Sequence, residues 1–274
     1  MRIAVTGAAG RVGGHVVELA SSLGHSVVAI DWRPLSSSID VARYADVDTM
    51  DYERLAEVIS DCDALIHLAA ITGPGRDPDH VVHNTNVVSS YNALRAASQV
   101  GIQRVCQASS INAIGGRFSE WPRYDYFPLD ERHPSYAEDP YSLSKWECEQ
   151  QADAMSRSNP DMSIASLRLH GVVDSRADTA EWSSLPGKVI EKQLWGYVEF
   201  QAVARACLLA VTTDLGGHEV FYIVAPDTMS DTASLTLAAD TYPEVPVRGD
   251  LSGANGFFDC SKADSILGWR HDAH

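Results

Sequence analysis

A tyrosine and a lysine four residues apart, Tyr141 and Lys145 in DPYSLSKWECEQ (139–150), open a stretch rich in helix formers. On a helix, side chains at that spacing share one face, with Cβ atoms about 5–6 Å apart. A free phenol titrates at about 10, whereas a base useful in neutral water titrates at about 7. Closing that gap takes roughly 4 kcal/mol in favour of the phenolate. One ammonium about 4 Å away supplies around 4 kcal/mol at an effective dielectric near 20. The pair is therefore sized to remove a proton from a hydroxyl group. Spacing alone does not establish that use, since the same pair is common on solvated helix faces. The elements that must position it decide the matter.

The first of these is VTGAAGRVGGHVVELA, which sets Gly7, Gly10 and Gly13 between an apolar run and an amphipathic one. In a strand–turn–helix context the first glycine permits a sharp turn. The second lets backbone approach a phosphate, and the third lets the helix pack on its strand. The helix N-terminus then offers unpaired N–H groups to a pyrophosphate. Eighteen residues after Gly13, the second expected strand ends in Asp31. An acid there accepts both hydroxyls of an adenosine ribose and repels a 2′-phosphate, which favours NAD. Arg33, in DWRP, allows NADP as well by swinging onto such a phosphate. Asp48 and Thr49 follow the expected third strand and are candidates for the adenine edge, with a solvated turn as the alternative.

Short apolar runs at 2–7, 25–31, 63–70, 104–110 and 163–171 alternate with amphipathic stretches at 11–22, 51–60, 84–99 and 141–157. Such alternation indicates βαβ units and a parallel sheet. After 171 it weakens: DSRADTAEWSSLPGK reads as loop, followed by a helix (199–212), a strand (218–225) and a short helix ending at Gly268. The 274 residues are expected to form a single α/β domain. Its cofactor-binding core would lie mainly in 1–170, and its substrate-binding segments mainly in 171–200 and 226–274.

Thirty-seven acidic residues against 21 basic ones give a formal charge of −16, and only four of the bases are lysines. Such a surface repels nucleic-acid phosphate and anionic membranes, so neither is an expected partner. High-salt cytoplasms and GC-rich genes both produce compositions of this kind. No apolar run reaches a membrane-spanning length, and MRIAVTG does not read as a signal peptide, so none is expected. Five scattered cysteines without a CxxC fit a reducing, cytoplasmic location. His80 and His83 lack a third ligand at metal-site spacing, so no metal is expected.

TGAAGRVG, HLAA, NTNVVSSYNAL, ASSINAIG and YSLSK occur in the order found in the extended short-chain dehydrogenase/reductases, the epimerase/dehydratase branch. The likeness continues through YVEFQAVARA and FFDCSKADSILGW. Within the family the chain resembles the uronate and aldose 1-dehydrogenases. The resemblance implies a Rossmann-type doubly wound parallel sheet with a small C-terminal substrate-binding cap. It makes Tyr141 the acid/base, Lys145 the holder of the nicotinamide ribose, and Ser110 a hydrogen-bond partner of the reacting hydroxyl. Asn86 would support structure or a water near the lysine. Gly7, Gly10, Arg11, Val12, Gly13, Leu68, Ala69 and Ala70 would contact the dinucleotide, NAD or else NADP. Thr72 matches a family position that contacts substrate.

Asn112 and His170 lie near strand C-terminal ends, where parallel-sheet sites form, and either could touch sugar hydroxyls. A packed histidine is the competing reading of His170. Arg176 could pair with a uronate carboxylate or simply be solvated. The loop EWPRYDYFPLDE (120–131) either walls the pocket or packs on its own domain. In the family, helices corresponding to 84–99 and 141–157 commonly pair across a twofold axis, which implies a homodimer.

The function the resemblance implies is NAD(P)-dependent oxidation of a free sugar or sugar acid at C1, giving a lactone. A nucleotide-sugar epimerase using the same Ser, Tyr and Lys is the alternative. A non-catalytic nucleotide sensor on the same fold usually lacks the tyrosine or lysine, and this chain keeps both.

Overall fold

The five apolar runs become the centre of a seven-stranded, all-parallel sheet with strand order β3-β2-β1-β4-β5-β6-β9. The structure, a computed structural model, describes residues 1–35, 41–185 and 188–272. Its sheet strands are β1 (Arg2–Thr6), β2 (Ser26–Asp31), β3 (Arg43–Asp46), β4 (Ala64–His67), β5 (Arg104–Ser110), β6 (Ser163–Leu169) and β9 (His218–Ile223). A two-stranded ribbon, β7 (Val172–Val173) and β8 (Val198–Glu199), lies outside this sheet. The helices are α1 (Arg11–Ser22), α2 (Tyr52–Ile59), α3 (Asp79–Val100), α4 (Pro140–Ser158), α5 (Val189–Lys192), α6 (Phe200–Thr212) and α7 (Ser234–Thr241).

The sheet is buried on both faces, which explains why its strands read as continuous apolar runs rather than alternating ones. One face packs against α1 and α6 through Val16, Val17, Val203 and Cys207, and the other against α2, α3 and α4 through Leu55, Leu94 and Ala152. This is the doubly wound architecture expected. A third apolar cluster joins Tyr124, Phe127 and Leu129 to Trp195, Tyr222, Phe257 and Phe258. The aromatic loop 120–131 thus packs on its own molecule, because its large rings find a buried partner surface in the C-terminal segments.

Helix α4 begins as its sequence dictates. Asp139 accepts hydrogen bonds from the amides of Tyr141 and Ser142, both at 3.0 Å, and Pro140 occupies the first turn, where no amide is needed. Helix α3 begins at Asp79, five residues ahead of the expected start at 84, and the Pro78 carbonyl accepts from the Val81 and Val82 amides. It ends at Gly101 with φ +86°, the left-handed closure that glycine accommodates. The stretch expected as loop after 171 holds a 3-10 segment over Arg176–Ser184, with the Asp178 carboxylate reaching back to the Ser175 amide. The last helix is a single π turn, Ala263–Leu267, closed at Gly268. None of the five cysteines is disulfide-bonded. No helix among the described residues is long and apolar enough to cross a membrane.

Candidate functional site

The parallel register aligns the carboxyl ends of the strands, so Thr6 sits beside Ile30 and His67, while Ser110 sits beside Leu169. Into that edge α4 brings Tyr141 and Lys145, both buried, from the helix face that also buries Cys148, Glu149 and Ala152.

Ser110 Oγ accepts hydrogen bonds from the Asn112 amide at 3.1 Å and from Asn112 Nδ2 at 3.3 Å. Its own proton is left for an oxygen in front of it, and Tyr141 is its hydrogen-bond partner there. Asn112 Oδ1 in turn accepts from the Arg117 amide at 3.1 Å. Asn112 therefore fixes the serine rather than facing a ligand with its amide group. Lys145 Nζ donates to the Ala108 carbonyl at 2.8 Å and stands 5.9 Å from the centre of the Tyr141 ring.

Burial pushes the Tyr141 phenol up to about 12, against the downward pull of its Ser110 hydrogen bond and the more distant Arg117 charge. Burial likewise pulls Lys145 below its ordinary value. The single-ammonium estimate made from sequence must be revised. Bringing the phenol from about 12 to about 7 takes roughly 7 kcal/mol. The phenol stands at about 12 with Lys145 already in place, so a further positive charge is needed.

The glycine loop has the shape a dinucleotide requires. Gly7 has φ +69°, and a Cβ there would come within 2.8 Å of the Ala69 amide nitrogen. A Cβ on Gly13 would fall 2.1 Å from the Gly7 carbonyl, so helix α1 could not pack where it does. Gly10 caps α1 with no side-chain hydrogen bond, and no acid lies in the first turn. The leading amides therefore face the loop without a competing carboxylate, which fits a pyrophosphate. Val12 and Leu68 pack against the core below, and the amides of Leu68 and Ala69 donate to the Thr6 hydroxyl. Ala70, which follows them, is partly buried.

Asp31 points into this loop, with Oδ2 accepting from the Ala9 amide at 3.0 Å and Oδ1 from the Arg33 amide at 2.9 Å. Arg33 Nε lies 3.3 Å from the same carboxylate. That pairing commits Arg33 to Asp31 and leaves an acid where a ribose diol fits and a 2′-phosphate does not. These residues fit NAD.

Other expected positions are placed less directly. Asp48 is exposed and accepts from the Met50 amide, while the buried Thr49 hydroxyl donates to Ser89. Asn86 ties the loop after β4 to α3 and α4 through both Ile71 backbone groups and Ser144, a structural role. Arg11 extends from the first residue of α1 to Asp174, at 2.9 Å, just past β7. Thr72 is exposed on the loop after β4.

His170 is the packed histidine. Its Nε2 bonds the Gln193 carbonyl and its Nδ1 accepts from the Gly171 amide, so the neutral ring has no nitrogen free for a sugar. Burial pulls it down to about 4. Arg176 is held by Asp227 at 3.1 Å and by the Thr228 carbonyl, which occupies the guanidinium considered for a substrate carboxylate.

Sequence reasoning missed three residues. His67 is buried between the Thr6 and Ser89 hydroxyls, and burial, aided by Lys145, brings it down to about 3. Glu149 forms a buried, two-bond pair with Arg168. Arg117 reaches the cleft from the segment after the 3-10 turn Ile111–Ile114. Its only sequence signal is a lone cation after Gly115 and Gly116. A further trio, Ser166–His218–Asp153, has hydrogen bonds of 2.7 and 2.6 Å that resemble a nucleophile and its bases. Ser166 is fully buried and also receives Gln107 Nε2, so no substrate can reach it. Among the described residues no group of three His, Cys, Asp or Glu side chains is arranged to hold a metal.

Comparison with known proteins agrees with this geometry. The model of the NAD-dependent epimerase/dehydratase family matches residues 3–219. The dTDP-6-deoxy-L-talose 4-dehydrogenase (NAD(+)) of Aggregatibacter actinomycetemcomitans is 27% identical over 175 residues, covering 62% of this chain and 61% of that protein. UDP-glucose 4-epimerase 2 of Arabidopsis thaliana is 26% identical over 226 residues, covering 76% of this chain and 62% of that protein. The chain thus spans less than two thirds of the length of these curated relatives. A solved structure of a mutated uronate dehydrogenase superposes with a TM-score of 0.71 over 99% of this chain and 82% of its own. At 23% identity that likeness is one of fold.

Proposed function

The chain belongs to the NAD-dependent epimerase/dehydratase family, and from that premise we propose that it oxidises a free aldose or uronate at C1 to the lactone. The observation that carries this reading is the Ser110–Tyr141–Lys145 cluster at the carboxyl edge of β5, facing a glycine loop and an acid suited to NAD. Bound NAD would supply the acceptor for the hydride that leaves C1. The chain's own groups handle the proton and the positions. The C1 hydroxyl gives its proton to Tyr141 Oη. Ser110 donates to the same substrate oxygen, held in place by Asn112. Lys145, anchored on the Ala108 carbonyl, orients the nicotinamide ribose and stabilises the phenolate. We assign the cofactor-binding part mainly to 1–170 and the substrate-binding part mainly to 171–200 and 226–274.

A substrate without a nucleotide diphosphate is supported by the second half of the chain. Arg176, Lys192, Lys262 and Arg270 are each engaged by protein carboxylates or carbonyls. The Arabidopsis relative supports a second reading, epimerisation of a nucleotide sugar by the same trio. One assay separates them: the protein is mixed with NAD and a panel of aldoses, uronates and UDP-sugars, and absorbance is followed at the reduced-nicotinamide band. Reduced cofactor accumulating with a free sugar is the expected result. Inversion of a UDP-sugar without net reduction would replace the first reading by the second. We further propose a homodimer formed through α3 and α4, supported by Val88, Tyr91 and Trp146, large side chains exposed on those helices.

A further inference from the structure

Arg117 shares its anchor with the proposed catalytic hydroxyl, since Asn112 holds both the Arg117 amide and Ser110 Oγ. Its guanidinium lies 5.2 Å from the centre of the Phe118 ring, and that ring stands edge-on to Tyr141 at 5.7 Å. The side chain is partly buried. Arg11, Arg123, Arg132, Arg168 and Arg176 each hold a carboxylate, yet among the described residues none pairs with Arg117. In a chain with 37 acids and 21 bases, this partly buried guanidinium, one ring away from the proposed catalytic tyrosine, holds no carboxylate among the described residues. Removing such a charge from water is unfavourable unless an anion completes it. The electrostatics place it in the same cleft: burial is the main cause of the low His170 value, with Arg117 adding to it, and the same guanidinium pulls the Tyr141 phenol down.

We propose that Arg117 receives a carboxylate carried on the substrate, so that the site selects a sugar acid over the matching neutral sugar. The inference rests on reading the site as a sugar C1 dehydrogenase and narrows its substrate class. A guanidinium fork matches a carboxylate with two parallel hydrogen bonds, a geometry that a lysine cannot reproduce. Arg176, the candidate favoured by sequence, already has Asp227.

The test is affinity rather than turnover. Protein loaded with NADH is titrated calorimetrically with glucuronate, glucose and glucose 6-phosphate, using wild type, Arg117→Gln and Arg117→Lys. Wild type is expected to prefer glucuronate to glucose by about 10- to 100-fold, the worth of a charge-assisted pair. Arg117→Gln should bring that ratio close to one, and Arg117→Lys should keep part of it. Retained NADH uptake, read by fluorescence, shows that each variant is folded. Equal wild-type affinities, no binding of either sugar, or a preference that survives Arg117→Gln would overturn the proposal. Glucose 6-phosphate binding better than glucuronate would overturn the carboxylate assignment in favour of a phosphate ester. Glucuronate preference without turnover of any sugar would remove the dehydrogenase reading and leave Arg117 as an anion site.

Discussion

Tyr141→Phe is expected to lower turnover by about 10²- to 10⁴-fold, the usual worth of a general base, with dinucleotide affinity nearly unchanged. In the proposed reaction the phenol oxygen is the group that takes the substrate proton. Ser110 holds its own proton, Lys145 is anchored as a donor on the Ala108 carbonyl, and both nitrogens of His170 are engaged by backbone. The ring itself is buried against Phe118, so phenylalanine preserves the packing and removes only the hydroxyl. Steady-state rates with the substrate found above, together with cofactor binding followed by fluorescence, check both halves. Rates within a few-fold of wild type would remove Tyr141 as the base. A parallel loss of cofactor affinity would show that the hydroxyl serves binding instead.

The largest effect on stability is expected from Glu149→Ala. Arg168 Nε and Nη2 donate to the two oxygens of Glu149 at 2.9 and 2.8 Å, and both side chains are almost wholly buried. Ser109 also donates to Glu149, at 2.5 Å, and Arg168 Nη1 reaches the Tyr222 hydroxyl at 3.3 Å. Burial opposes the Arg168 charge, but Tyr222 and Glu149 outweigh it and raise the group above its ordinary value. Removing one partner of such a pair leaves an uncompensated charge and costs about 3–5 kcal/mol. For a chain of this size that lowers Tm by roughly 10 °C. Glu149 lies one turn beyond Lys145 on the buried face of α4, so the pair also locks that helix against β5, β6 and β9. Replacing both partners by methionine should recover much of the loss, because no charge is then stranded. A thermal melt in which Glu149→Ala shifts Tm by less than about 2 °C would contradict this account.

The legible parts of the molecule were those where a local pattern has one physical cause. The continuous apolar runs of β1, β2, β4, β5 and β6 follow from burial on both faces. Gly7 and Gly13 follow from contacts that a Cβ would violate. The start of α4 follows from Asp139 and Pro140. What escaped depends on distant partners. Arg176 is committed by Asp227, 51 residues away, and Glu149 by Arg168, 19 residues away. The early start of α3 was hidden because its first turn joins exposed Asp79 and His80 to Val81 and buried Val82, too short a stretch to show a helical period. Arg117 carried no motif at all. Its interest arises from the pairing it lacks, which only a structure reveals. The strength of burial at Tyr141 was equally invisible, and it changes the electrostatic demand on the site.

That demand is open to direct measurement. Tyrosinate absorbance can be titrated against pH in wild type and in Tyr141→Phe, each with and without NAD, and the difference assigned to one phenol. With its phenol held at about 12, Tyr141 should contribute no ionisation below about pH 10 in the free protein. With NAD present the same signal should move down by several units, toward the neutral range in which a base must work. A Tyr141 signal that stays where it was when the dinucleotide binds would contradict the account.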